Sequence, residues 1–207
     1  MLWLQFGIAL ASQPETLVPL SDTPWKLWRG LAEASAPNPG SWRQVAFDDS
    51  AWTVASAPFF YTAAAAEPPF YPGGPVIGTV LTDMLNNYSC VFLRRQFVVT
   101  NLAQIKAVTV QAATDDGFIL WLNGVELVRT NLPAGVIPFD GVALASAAEP
   151  VPVNSFMFDS LPGTLREGTN VLALQAFNWA IDSGDFGIMA SLSVERDLPV
   201  DCLPPPT

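Results

Sequence analysis

The sequence of 207 residues contains no histidine. This excludes catalytic triads in which histidine activates a serine or cysteine, and it excludes imidazole-bound zinc, copper or iron. Two cysteines are too few for a four-cysteine zinc or iron–sulfur site. Carboxylate pairs can hydrolyse glycosides without histidine, but the acidic residues here cluster in turn-like sequences. We therefore predict a protein that is not an enzyme.

Basic residues and long apolar runs are scarce as well. The 9 Lys and Arg stand against 19 Asp and Glu, which gives a formal net charge of −10. This balance excludes the basic surface that nucleic-acid binding needs, and it favours neutral or cationic partners. No apolar run approaches the ~20 residues that cross a bilayer, so we expect no membrane span.

The two ends differ from the rest of the sequence. Leu2–Leu10 is apolar and leads into a cleavage-like Ala-Leu-Ala pattern, but the basic residues of a secretory signal are missing. A signal and a β-strand both remain open interpretations of this segment. We divide the chain into an N-terminal apolar segment (residues 1–14, signal-like or an extra or donated strand), one folded domain (15–196) and a Pro-rich tail (197–207).

The two cysteines lie far apart in the sequence. Cys90 falls in a strand-like run and Cys202 in the Pro-rich tail. A disulfide between them would tie down the tail, and two unrelated thiols are the alternative. The acidic, Lys-poor and Pro-rich composition favours an extracellular or cell-surface location.

The composition favours β-structure, because apolar residues make up 50% of the chain and the 19 prolines and 14 glycines indicate many turns. Asn123-Gly124 between two apolar runs is a strong hairpin signal. A helix is suggested only by Trp25–Glu33. Strand-like stretches are Ser89–Thr100, Ile105–Ala113, Phe118–Arg129, Phe156–Leu161, Asn170–Asn178 and Phe186–Glu195. We predict an all-β fold, an antiparallel β-sandwich of the jelly-roll type.

Several stretches, in the same order along the chain, carry a family resemblance. They are Leu17–Leu20, Trp25-Lys26, Trp42, Phe47–Trp52, Phe92–Phe97, Thr114–Leu127, Glu167–Leu174 and Phe186–Ile188. Together they resemble galactose-binding-like jelly-roll domains, which are accessory modules of bacterial glycoside hydrolases and of large secreted surface proteins. The resemblance covers about residues 15–195 and implies the sandwich fold, although such folds host many functions.

A shorter motif, Asp115-Asp116-Gly117, looks like the paired-aspartate loop of protective-antigen-type glycan-binding domains in cell-surface adhesins. In those domains the two aspartates hold Ca²⁺ and the ion holds sugar hydroxyls. The resemblance is confined to this motif, and it implies a calcium-dependent glycan site.

The residues themselves also suggest a cation. Adjacent carboxylates repel each other unless a cation or hydrogen-bond donors compensate, and Ca²⁺ takes 6–8 oxygen ligands. A second oxygen-rich loop spans residues 178–185. The alternative is that these side chains cap their own turns through hydrogen bonds to the backbone. The candidate ligands are Asp115, Asp116, Asn178, Asp182 and Asp185.

Aromatic side chains supply the candidate sugar contacts, because an exposed ring can stack on the apolar face of a pyranose. Trp179 lies beside Asn178 and Asp182, and Tyr61 and Tyr71 lie in a long Pro- and Gly-rich stretch. The alternative for each ring is a place in the core. We expect that place for Trp25, Trp42, Trp52 and Trp121.

Two functions remain in competition. The first is a non-catalytic extracellular carbohydrate-binding or adhesion module, calcium-dependent if the cation site exists, whose partner is a glycan or cell-surface polysaccharide. The second is a structural subunit of an extracellular fibre or sheath, in which Leu2–Leu10 joins the sheet of another copy by β-strand addition.

Overall fold

The computed structural model describes residues 12–21, 24–63, 77–159, 161 and 163–197. Two short 3-10 turns, Ser41–Arg43 and Leu102–Gln104, accompany the strands of this part of the chain. The strands are β1 (Ser12–Val18), β2 (Pro24–Arg29), β3 (Thr53–Ser56), β4 (Phe59–Thr62), β5 (Thr79–Val80), β6 (Cys90–Val99), β7 (Ile105–Asp115), β8 (Gly117–Leu122), β9 (Val125–Thr130), β10 (Asn154–Phe158), β11 (Gly168–Phe177) and β12 (Asp185–Asp197).

The strands form two packed sheets. The first has the order β10-β7-β12-β4-β5, with β1 also paired to β12, and the second has the order β3-β2-β6-β11-β8-β9. The pairs are antiparallel except for β4 with β5. The predicted antiparallel β-sandwich of the jelly-roll type is confirmed. The helix suggested by Trp25–Glu33 is wrong, because Trp25 and Leu27 alternate as the buried face of β2.

Side chains on both faces of the second sheet are buried. On β8, Phe118, Leu120 and Leu122 join the core between the sheets. Ile119 and Trp121 point the other way and join a second apolar cluster. Loop residues complete that second cluster, so the outer face of this sheet is covered by loops: Ala34, Trp42, Trp52, Leu132, Ile137 and Ala143.

The four tryptophans expected in the core are all buried. Trp42 lies at the centre of the outer cluster, with its ring centroid 5.2 Å from that of Phe92 and 5.4 Å from that of Trp121. Trp52 packs against Trp42 at 6.2 Å. Aromatic pairs at these separations add to the stabilisation that burial provides.

A buried arginine fastens the loop that covers this face. Arg94 is 0% exposed and forms an ion pair with Asp49 at 2.7 Å. It also donates to the carbonyl oxygens of Trp42 and, at 3.0 Å, of Gln44. Asp48 accepts the backbone N–H of Ser50 at 2.9 Å, which is a local turn contact.

Three chain segments meet at one end of the sandwich, which we call the loop end. Asp115 ends β7, Asp185 begins β12, and Asn178 directly follows β11. The strand register brings them together, because Asp115 pairs with Gly187 while Phe177 pairs with Gly117. The loop end therefore holds most of the oxygen-bearing side chains that the sequence singled out.

The described part of the N-terminal region pairs within its own chain. β1 begins at Ser12 and runs antiparallel to β12. Leu2–Leu10 and the tail beyond Asp197 lie outside the described residues. Among the helical turns in the described ranges, none is long and apolar enough to cross a membrane.

Candidate functional site

Three carboxylates converge at the loop end. One oxygen from each of Asp115, Glu149 and Asp185 lies within 4.8 Å of the others. Asp115 is only 3% exposed, Asp185 is half-buried and Glu149 is exposed. The acidic cluster, as we call these three residues, thus reaches from the interior to the surface, and such a set could bind a metal ion.

Among the described residues, several buried side-chain oxygens near this end of the sandwich have no hydrogen-bond partner. They include Oδ2 of Asp115 and Oδ1 of Asn178, and also the hydroxyls of Thr114 and Thr130. Buried acceptors are normally satisfied, because an unpaired one costs about 1–3 kcal/mol. Carboxylate and amide oxygens are the ligands that Ca²⁺ prefers. The donor set therefore fits a hard cation.

The protonation of Asp115 reflects this crowding. Burial is the main cause that raises its pKa from 3.8 to about 9. The hydrogen bond and charge of Asp116 contribute next, followed by the charges of Asp185 and Glu149. Without a cation, burial and the neighbouring charges therefore favour the protonated form of Asp115.

Asp116 has a different role from its neighbour, to which a cis peptide bond joins it. It is 4% exposed, and each of its oxygens accepts one backbone N–H. Oδ1 accepts from Ala147 at 2.6 Å and Oδ2 from Trp179 at 2.7 Å. Both bonds go to backbone groups of other loops, 31 and 63 residues away along the chain, so they differ from the capping of its own turn that was the alternative to metal binding.

Tyr61 and Asn178 form a buried network beneath the 178–185 loop. The Tyr61 hydroxyl donates to the carbonyl of Ser183 at 2.6 Å and accepts from Asn178 Nδ2 at 2.9 Å. Asn178 Nδ2 also donates to the carbonyl of Asp185 at 3.1 Å. Burial raises the pKa of Tyr61 to about 12. Tyr61 therefore supports the loop from inside, where a sugar does not reach it.

Trp179 is an exposed aromatic residue at the same end of the sandwich as the acidic cluster, with its backbone N–H bound to Asp116. Trp179 is 47% exposed, and Ile181 in the same loop and Leu144 in a second loop are exposed as well. Those two loops are joined, because Ala143 donates its N–H to the carbonyl of Asn178 at 2.9 Å. The loop end thus combines an exposed aromatic ring with oxygen ligands.

The remaining candidates fall elsewhere. Asp182 is exposed on its turn and is not part of the acidic cluster. Tyr71 lies outside the described residues. Glu149 was missed from the sequence, although it is the only charged residue between Gly141 and Phe158. A single acidic residue in an otherwise uncharged stretch was the sequence feature that could have marked Glu149 as a candidate ligand.

Cys90 is fully buried, and its thiol donates to the carbonyl of Phe139 at 3.0 Å. Cys202 lies outside the described residues, so the disulfide stays a prediction. Cys90 begins β6 at the loop end, whereas Asp197, five residues before Cys202, ends β12 at the opposite end.

Comparison with known proteins gives a fold but no family. No family model matches the sequence, and no curated protein matches it. A beta-glucuronidase from an uncultured Clostridium sp. has a similar structure, with a TM-score of 0.51, 15% identity, and coverage of 95% of this chain and 31% of that chain. The calcium-binding mutant of Bacteroides uniformis beta-glucuronidase 2 gives a TM-score of 0.49 at 18% identity, covering 88% of this chain and 18% of that chain.

These neighbours are carbohydrate-active enzymes, and the chain spans less than a third of their length. At such low identity the likeness shows the β-sandwich fold alone. The fold is consistent with the galactose-binding-like resemblance of the sequence.

Proposed function

We propose that this chain is a non-catalytic, calcium-dependent carbohydrate-binding domain of the galactose-binding-like type, working outside the cell or at its surface. The observation that carries the proposal is the acidic cluster, with the unpaired buried Oδ2 of Asp115, at the same end of the sandwich as the exposed residue Trp179. An ion and an aromatic face in one site would match the two kinds of surface on a sugar.

The cation accounts for the crowded acids. Ca²⁺ held by Asp115, Glu149 and Asp185 would compensate their mutual repulsion. A cluster that opens to solvent at Glu149 leaves room in the coordination shell for water or sugar hydroxyls.

The aromatic ring supplies the other half of the site. Trp179 can stack on the C–H face of a pyranose, while the cation takes the hydroxyls. A net charge of −10 disfavours polyanions, so neutral glycans are the expected ligands.

A glycan array probed with the protein in millimolar calcium and then in EDTA tests the proposal. We expect binding to neutral glycans that EDTA abolishes. Trp179→Ala should weaken binding to the best array glycan by about tenfold or more. Val98→Ala, an exposed apolar residue on β6 near the opposite end, serves as the matched control.

Absence of glycan binding in calcium, or equal binding by the Trp179→Ala variant, would contradict the proposal. Aryl glycosides incubated with the protein should release no product, since the proposed domain is not catalytic. Turnover that Asp115→Asn abolishes would overturn this part of the proposal.

A further inference from the structure

We infer that Asp116 is a positioning residue that couples the cation to the sugar-binding ring. The inference rests on the proposed function. The two adjacent aspartates then have different roles. Asp115 binds the ion, and Asp116 holds in place the loops that complete the site.

The hydrogen bonds of Asp116 support this division. Its two oxygens accept the backbone N–H groups of Ala147 and Trp179 at 2.6 and 2.7 Å. Ala147 lies two residues before Glu149, the exposed member of the acidic cluster. One buried carboxylate therefore holds both the loop that supplies a metal ligand and the loop that presents the ring.

The Glu149 loop is anchored on both sides. On one side of Glu149, Ala147 is bound to Asp116. On the other side, Val151 packs against Ala113 and Met189 on the outer face of the first sheet. An exposed glutamate on a free loop would lose rotamer and backbone entropy on binding an ion. Two anchors reduce that loss, and Asp116 supplies one of them.

The backbone of Asp116 is fixed as well. Its N–H donates to the carbonyl of Phe177 at 3.1 Å, and its own carbonyl accepts from Asn131 Nδ2 at 3.4 Å. The carboxylate is therefore attached to a rigid strand end. A cation bound by Asp115 would therefore lie one residue along the chain from the carboxylate that holds the backbone of Trp179.

Linkage makes the effect reciprocal. If cation binding favours the arrangement in which Trp179 is held by Asp116, then a ligand on Trp179 must raise the affinity for the cation by the same factor. The ring and the ion then form one cooperative site.

Terbium binding tests the inference, because Tb³⁺ substitutes for Ca²⁺ and emits when a nearby tryptophan is excited. Calorimetry gives the affinity and stoichiometry, and sensitised emission at saturation reports the distance from Trp179. The wild type, Asp115→Asn, Asp116→Asn and Trp179→Phe are compared, with Asp182→Asn as the matched control on the exposed turn of the same loop.

Asp115→Asn should abolish binding, and Asp182→Asn should behave as wild type. Trp179→Phe should keep the affinity and lose most of the emission. Asp116→Asn should still bind one ion, about 10- to 100-fold more weakly, as removal of a residue that orients ligands does. Its emission per bound ion should be lower than that of the wild type.

The outcomes distinguish failure of the proposed function from failure of the coupling through Asp116. If the wild type binds no Tb³⁺ and no Ca²⁺, the proposed function fails. If Asp116→Asn keeps wild-type affinity and emission, only the coupling is overturned. If Asp116→Asn abolishes binding as Asp115→Asn does, Asp116 is a ligand and the positioning role is wrong.

A measurement on the wild type decides the question even if Asp116→Asn does not fold. Calcium should change the tryptophan emission of the wild type, and this change should be absent from Trp179→Phe. If calorimetry shows that calcium binds and the emission spectrum is still unaltered, the coupling is overturned.

Discussion

The substitution Asp115→Asn should change stability in opposite directions with and without calcium. Asn keeps the shape of the side chain and removes the carboxyl that Asp116, Asp185 and Glu149 crowd. In EDTA the variant should be more stable than the wild type. In saturating calcium it should be the less stable of the two.

The magnitude in EDTA follows from the pKa. Raising the pKa from 3.8 to about 9 keeps Asp115 protonated at pH 7. Over the interval from 3.8 to 7, at 1.36 kcal/mol per unit, the cost to the folded state is about 4 kcal/mol. Solvent reaches the cluster at Glu149, so we halve this to ~2 kcal/mol. That corresponds to roughly 4–8 °C in Tm for a chain of this size.

The dependence on pH has a definite sign. The folded wild type retains a proton on Asp115 that the unfolded chain releases above pH 3.8, so this group makes stability fall as pH rises from about 4 to about 9. Asp115→Asn lacks this slope. The difference between the two proteins should be small near pH 4 and should grow toward neutral pH.

Calcium should make the wild type more stable than Asp115→Asn. A cation at 1,000 times its dissociation constant stabilises the wild type by about 4.1 kcal/mol, whereas a variant that does not bind it gains nothing. Thermal unfolding in EDTA and in calcium measures both effects. Asp182→Asn, the exposed control, should change the free energy of unfolding by less than about 0.5 kcal/mol in either condition. Destabilisation by Asp115→Asn in EDTA would refute the reasoning.

Two further predictions concern buried groups. Asp49→Ala leaves the Arg94 guanidinium buried without its counter-charge and should cost about 3–5 kcal/mol in urea unfolding, whereas the exposed Asp48→Ala should cost about 1 kcal/mol or less; equal costs would contradict the role of Arg94. Burial raises the pKa of Cys90, so Ellman's reagent should not label it in the folded protein. Labelling after unfolding without reductant would exclude a bridge to Cys202, and non-reducing mass spectrometry gives an independent answer.

Local patterns in the sequence were sufficient to predict most strands of the sandwich. The alternation of Phe118 and Leu120 with Ile119 and Trp121 predicted a strand with two apolar faces, and both faces are buried. β1 was harder to predict, since Pro14 and Glu15 hide its pattern. Such residues are tolerated on an edge strand, where one side needs no ladder hydrogen bonds.

The candidate site was predictable only where strand order decides it. Asp115 and Asp185 end and begin strands that pair directly, so their approach follows from the fold. Glu149 reaches them through a long loop, whose path depends on Val151 packing and on the bond from Ala147 to Asp116. Tyr61 was expected as a surface ring, but β4 pairs with β12 and buries it. Such long-range packing leaves little local trace in a sequence.

The pairing of Ser12 with Asp197 determines how force and attachment act on this domain. Any polypeptide connected at these two residues leaves from one point, which the 13 residues of β12 separate from the loop end by roughly 40 Å. A ligand bound at the loop end would therefore lie far from any polypeptide attached at Ser12 and Asp197. Tension applied between Ser12 and Asp197 would separate β1 from β12 one residue pair at a time. The loop end would stay intact until β1 has detached.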